Sequence, residues 1–283
     1  MKKLLALLVL LPILFAGCSE EGPTDTDKLG GELGNDEWFK ALGKTPKNRT
    51  PTYLQKAKGY TSVPIDAWRN VGEPTVTYDI VVSGDEADIP IHIEWPDTVV
   101  VVYQNINDTT IIDTVIKPSP YFRGDIKFHY GIVDKKWKLT ALTPAKVKSD
   151  SAGTYVVLDS IKCEVINRDA GTFPVLSDPA ALLTAYPRDD YPYTFQVGDS
   201  VKLEVYVSGT AEKKFPLLFA PAPDSIPDWF NYDDAGGFWY GIWEINASLY
   251  HWAWIAVCDL DILLDPDMKA ARDVMWGIPY RVE

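Results

Sequence analysis

The chain has 283 residues, 46% hydrophobic and 24% charged, which excludes wholesale disorder and leaves room for two ordinary domains. Lys and Arg number 27 against 40 Asp and Glu, and the net charge of −13 has the wrong sign for a general nucleic-acid binder. Three His and three Cys argue against zinc fingers, Fe–S clusters and a disulfide-dense scaffold, whereas ten Trp is a high count.

The amino terminus reads as an address. Lys2 and Lys3 precede an apolar run from Leu4 to Phe15, interrupted by Pro12, and Ala16 and Gly17 lead into Cys18. A basic start, a short apolar stretch and small residues make a secretory signal, too short to span a bilayer comfortably as a permanent helix. Phe15-Ala16-Gly17-Cys18 resembles the lipobox of bacterial lipoproteins, with Phe15 where Leu is usual. The resemblance implies cleavage of the signal peptide 1–17, lipidation of the Cys18 thiol and acylation of its new amine. It also implies attachment to a membrane of the bacterial cell envelope. Ser19 after the Cys resembles an outer-membrane destination. Cleavage would leave 25 basic residues against 40 acidic ones. The rival reading is an ordinary secretory signal with a chance Cys.

Residues 18–37 are expected to form an acidic tether, because Ser19 to Glu37 holds seven acidic residues, four Gly and one Pro. Asp36 is placed to cap a short helix through Trp38, Phe39 and Leu42, ended by Gly43. Thr52 to Gly59 and Pro64 to Asn70 read as two further short helices. From Thr75 the period changes to two. Val76, Tyr78, Ile80 and Val82 share one face, as do Ile89, Ile91, Ile93 and Trp95. About six strands follow one another to residue 149, with Asp134-Lys135-Lys136 as a hairpin turn. Short connections imply a mostly antiparallel sheet. Residues 38–149 therefore read as an α+β domain, and the element order resembles cystatin-like and nuclear-transport-factor-like folds.

Ser149 to Thr154 reads as a boundary, and the fold class as a whole is mainly β. Beyond it the strand candidates are 155–158, 160–166, 193–196, 200–208, 215–219, 237–245, 249–258 and 278–282. In 200–208, Val201, Leu203, Val205 and Val207 alternate with Lys202, Glu204 and Tyr206. A Gly-Asp turn into this strand, then a Trp-rich hairpin and an apolar strand ending in Asp259, resembles bacterial immunoglobulin-like modules. The resemblance implies a β-sandwich over 150–283, long enough for a core of its own. Charge is uneven: 15 basic and 12 acidic residues in 38–149, against 9 and 21 in 150–283.

Chemistry-bearing patterns are sparse. His92 and His129 alternate with apolar neighbours and read as solvent-facing strand positions, and His251 sits between Tyr250 and Trp252. None has metal-site spacing, and HExxH, GxSxG and P-loop motifs are absent. Asp259, Asp261, Asp265 and Asp267 alternate as Ca²⁺ ligands can, but Leu263 and Leu264 occupy ligand positions, so strand-end solvation is the better reading. Asn231, Asp233 and Asp234 before Gly236-Gly237 read as a turn. Cys163 and Cys258 are a candidate disulfide or two buried thiols.

The unusual feature is a run of ten aromatics over residues 229–254. Trp239 and Trp243 share a face with Ile245, while Phe238, Tyr240 and Ile242 share the other. Core packing is the leading reading. A ligand platform built from Trp229, Trp239, Trp243, Trp252 and Trp254 is the alternative. The chain thus reads as a non-enzymatic lipoprotein without cofactors, acting in adhesion, scaffolding or envelope assembly through a protein partner. The alternative is a carbohydrate-binding surface lipoprotein, and the third reading is an envelope hydrolase.

Overall fold

The computed structural model describes residues 24–42, 49–50, 62–71, 74–105, 107–108, 112–149, 155–177, 184–189, 191–211, 214–220, 224, 230–246, 248–259 and 272–283. Two helices come first, α1 (Asp25–Asn35) and α2 (Glu37–Leu42). Then follow β1 (Arg49–Thr50), β2 (Ser62–Val71), β3 (Thr75–Tyr78), β4 (Val81–Ser83), β5 (Glu86–Asn105), β6 (Ile112–Val133), β7 (Lys136–Leu142) and β8 (Ala145–Ser149). The second half supplies β9 (Val157–Val165), β10 (Leu176–Ser177), β11 (Tyr186–Pro187), β12 (Thr194–Phe195), β13 (Ser200–Ser208) and β14 (Lys214–Phe219). It ends with β15 (Asn231–Asp233), β16 (Phe238–Glu244), β17 (Leu249–Asp259) and β18 (Asp273–Val282). The fold is mainly β with antiparallel sheets, and β12 beside β18 is a parallel pair. No helix of the described residues is long and apolar enough to cross a membrane.

The segment expected to be a tether contains α1. Thr24 and Asp27 form a capping box, in which the Thr24 hydroxyl accepts from Asp27 N and the Asp27 carboxylate accepts from Thr24 N. Leu29 and Leu33, four residues apart, fall on one face and are fully buried. Two leucines in register outweigh an acidic, glycine-rich average. Asp36 then caps α2, its Oδ1 accepting from Trp38 N at 2.9 Å and Phe39 N at 3.3 Å.

Residues 64–70 are strand, not helix: β2 runs antiparallel to β5, with a register irregularity between Pro64 and Asp66. A seven-residue helix closes few backbone hydrogen bonds, whereas the long edge of β5 offers a partner to every second residue. The 52–59 helix lies outside the described residues. Four of the strands expected between Thr75 and residue 149 merge into two long ones. β5 has 20 residues and β6 has 22, paired along nearly their whole length. Pro96 does not end β5, because it sits where the register shifts between Trp95 and Asp97, and a bulge tolerates a missing N–H.

One large sheet runs β1-β2-β5-β6-β8-β18-β17-β14, with β3, β4, β7, β11 and β12 attached at its margins. It takes strands from both sides of residue 150. Val274 to Gly277 of β18 pair with Ala145 to Lys148 of β8, and β11 pairs with β7. The change of composition at 149–154 therefore does not separate the sheets. The small sheet runs β10-β9-β13-β16-β15.

The core lies on both sides of β17 and β18. Every residue from His251 to Asp259 and from Asp273 to Tyr280 is buried. One face meets the helices: Trp38 packs against Tyr250 at 4.9 Å, and Trp252 Nε1 donates to Trp38 O at 3.1 Å. Trp95 of β5 packs edge-on against Trp254 of the same face at 4.7 Å. The opposite face meets the small sheet, where Tyr280 packs edge-on against Trp243 at 4.9 Å.

Residues 150–283 expressed alone would lose β8 from beside β18, Trp38 of α2 from Trp252 and Trp95 of β5 from Trp254. That fragment should lack the cooperative thermal unfolding of the whole chain. A sharp transition in the fragment, close to that of the full protein, would contradict the shared core.

Candidate functional site

The small sheet has a buried face and an open one. In β13, Val201, Leu203 and Val205 point into the core, so Lys202, Glu204 and Tyr206 point outward. The register sets Glu204 opposite Lys162 on β9 and Tyr240 on β16. Lys202 Nζ donates to Glu204 Oε1 at 2.8 Å. Lys162 Nζ donates to Tyr206 Oη at 2.9 Å and lies 3.5 Å from Glu204 Oε2. Tyr206 Oη donates to Glu204 Oε2 at 3.3 Å. The hydrogen bond from Lys202, helped by both ammonium charges, holds the Glu204 carboxyl below its ordinary value. The same contacts raise the two lysines, through Tyr206 for Lys162 and through Glu204 for Lys202.

Aromatics border this ladder. Phe238 packs against Tyr206 at 5.3 Å, and the Lys202 ammonium lies 5.8 Å and 5.9 Å from the ring centres of Phe238 and Tyr240. The β15–β16 hairpin closes the end of the face. Asp233 Oδ1 accepts from Ala235 N and Gly236 N, and Gly237 adopts φ +69°, the left-handed conformation that a tight turn assigns to glycine. The turn projects Asp233 and Asp234 beside the aromatics. A cleft of about 390 Å³ results, lined by Lys202, Tyr232, Asp233, Asp234, Phe238 and Tyr240. It combines carboxylate acceptors, an ammonium donor, phenols that do both, and ring faces.

The tryptophans singled out from the sequence are mostly elsewhere. Trp243, Trp252 and Trp254 are only 1–3% exposed, so they build the core and not an exposed platform. Trp243 Nε1 donates to Asp224 Oδ2 at 3.0 Å, and the same oxygen accepts from Tyr280 Oη at 2.9 Å, so Asp224 ties β16 to β18. Trp252 and Trp254 lie on the helix-facing side of β17. Trp239 is half-buried against Tyr232 at 5.1 Å. Trp229 lies outside the described residues, as does Cys18. Cys163 and Cys258 are not bridged: both are buried, the first in the small sheet and the second in the large one. Desolvation raises the Cys163 thiol to about 12.

His92 and His129 sit on the open face of the large sheet, beside Asp125 at 3.0 Å and Asp88 at 2.5 Å. His251 is buried, with Nε2 2.5 Å from Ser248 O. Asp259 is buried and faces Arg272 at 3.7 Å, while Asp261, Asp265 and Asp267 lie outside the described residues. Among the described residues no group of three His, Cys, Asp or Glu could hold a metal ion.

Sequence reasoning noted the alternation of β13 and that of β16 separately and did not bring their outward residues together. Both alternations were visible, but nothing local says that Glu204 lies across from Tyr240. Comparison with protein-family models, with curated proteins and with solved structures returned no match.

Trp243→Ala should cost about 3–5 kcal/mol, since it removes a buried ring and leaves a cavity. Trp239→Ala should cost clearly less. Urea melts of the two variants check this ordering. The depressed Glu204 carboxyl stabilises the fold at neutral pH, and that contribution is lost as pH falls through its folded value. Glu204→Gln should therefore flatten the dependence of the urea midpoint on pH between about pH 5 and 3.

Proposed function

We propose that the chain is a non-enzymatic lipoprotein of the bacterial cell envelope that binds carbohydrate on the open face of its small sheet. The cleft beside Lys202 carries this reading. A saccharide presents hydroxyls that donate and accept together with an apolar C–H face. The cleft offers a partner for each: Asp233 and Asp234 as acceptors, Lys202 as donor, and the Phe238 and Tyr240 rings for stacking. A simple anion would meet two carboxylates, and a simple cation would meet the Lys202 ammonium. A neutral polyhydroxylated ligand meets neither penalty.

The address rests on the lipobox-like run ending in Cys18, with an outer-membrane destination suggested by Ser19. Adhesion or scaffolding then follows from glycan binding by an anchored protein. Within this reading, residues 38–149 form a cystatin-like body, supported by α2, whose Phe39 packs against Phe128 of the antiparallel sheet. Residues 150–283 form an immunoglobulin-like pair of sheets, supported by the packing of the small sheet over β17 and β18.

A glycan array followed by isothermal titration tests the ligand. Tyr240→Ala and Asp234→Ala should leave thermal stability nearly unchanged, and Tyr240→Ala should weaken the best glycan by about 2 kcal/mol, roughly 30-fold. A wild-type chain that binds nothing on the array would sink the carbohydrate reading and favour a protein partner. Cys18→Ala should leave the membrane fraction or persist as unprocessed precursor. Palmitate labelling that survives this substitution would refute the lipid anchor.

A further inference from the structure

Two hairpin tips stand side by side at one end of the large sheet. The turn at 84–85 joins β4 to β5, and the turn at 134–135 joins β6 to β7. Glu86 pairs with Gly131, and Ile132 N donates to Asp85 O, so the tips are hydrogen-bonded neighbours. They leave Val81, Val82, Ile132 and Val133 exposed at 56%, 37%, 43% and 40%. These are two consecutive pairs in strand, so each tip is apolar on both of its faces. A surface of that shape is a wedge. A flat protein partner would cover one side of it and leave the other wet, whereas a deformable apolar phase surrounds both.

The chain enters the fold at this same end. A methyl group built on Gly30 of α1 would meet Ile80 Cδ1 at 3.9 Å and Tyr78 Oη at 4.0 Å, in the segment that leads into the first tip. The Phe39 ring packs edge-on against Tyr78 at 5.9 Å. Thr24, the cap of α1, follows Cys18 by six residues, which span at most about 21 Å. A lipid on Cys18 would thus hold this end of the sheet close to the bilayer. Charge around the tips is near balance: Asp79, Asp85, Glu86 and Asp134 against Lys135, Lys136 and Lys138, with Lys138 paired to Asp134 at 3.1 Å. Coulombic attraction to anionic lipid is therefore not the driving force.

We propose that the 81–82 and 132–133 tips are a membrane-contact surface, inserting into the interfacial region of the bilayer that holds the Cys18 lipid. The proposal rests on the lipid-anchor reading above. Insertion is apolar, so it proceeds on zwitterionic lipid and resists salt.

The test uses the full lipidated chain reconstituted into phosphatidylcholine vesicles. Val82→Cys, Ile132→Cys and Ile166→Cys each carry an environment-sensitive fluorophore, with unsubstituted protein as the blank for Cys163 and Cys258. Ile166 is the control, an exposed apolar residue that directly follows β9 of the small sheet. Labels at 82 and 132 should shift to the blue and be quenched several-fold more by spin-labelled lipid than the label at 166, in low and high salt alike. Equal quenching at all three positions in a chain that floats with the vesicles would overturn the membrane contact and leave the anchor standing. A chain that does not float with the vesicles would overturn the anchor, and the membrane contact with it.

Discussion

β17 and β18 are apolar on both faces, and the rest of the molecule supplies the two covers they require. A strand in an ordinary antiparallel sheet buries one face and wets the other. Here Trp252 and Trp254 face α2 and β5, while His251, Trp276, Ile278 and Tyr280 are buried, with Tyr280 against the small sheet. The Trp254 ring lies over its cross-strand partner Gly277, where any Cβ would overlap it. The abundance of tryptophan follows from this arrangement. Large rings fill a two-sided core, and the N–H groups of Trp252 and Trp243 reach Trp38 O and the Asp224 carboxylate, so these two are buried with their hydrogen bonds made.

The helices matter for the same reason. Leu29, Leu33, Trp38 and Leu42 are buried, so α1 and α2 are a lid on the large sheet and not a spacer. This changes how an anchored chain would sit. With α1 capped at Thr24, only six residues on from Cys18, a lipid on Cys18 would bring the surface next to α1 toward the membrane. The small sheet's open face is built from other elements and stays available for a ligand.

The small sheet divides its labour by alternation. The inward row of β13 and β16 holds Val201, Leu203, Val205 and Trp243 in the core, joined by Ile245 just past β16. The outward row carries Lys202, Glu204, Tyr206, Phe238 and Tyr240. Because the inward row fixes the register, the outward row inherits its geometry, and the Lys–Glu–Tyr ladder is held in place by residues that never touch it.

Sequence alone determined what is local. The period of two placed β13, β14, β16 and β17, with 200–208 recovered at both ends, and put Trp243 in the core, but it split β9 in two and missed β10, β11, β15 and the first half of β18. Asp36 was legible as a helix cap, and Asp233 with Gly236-Gly237 as a turn. What only the tertiary structure decided is pairing across distance. Merged strands β5 and β6, the strand at 62–71, the seam between β8 and β18, and the meeting of Glu204 with Tyr240 all depend on a partner far along the chain. A backbone hydrogen-bonding group carries no label for that partner, since any edge strand of suitable length satisfies it. Composition misled at residues 25–35 because an average over acidic and glycine residues hides two leucines four apart. Those leucines become a helix only where a sheet offers them a surface to cover.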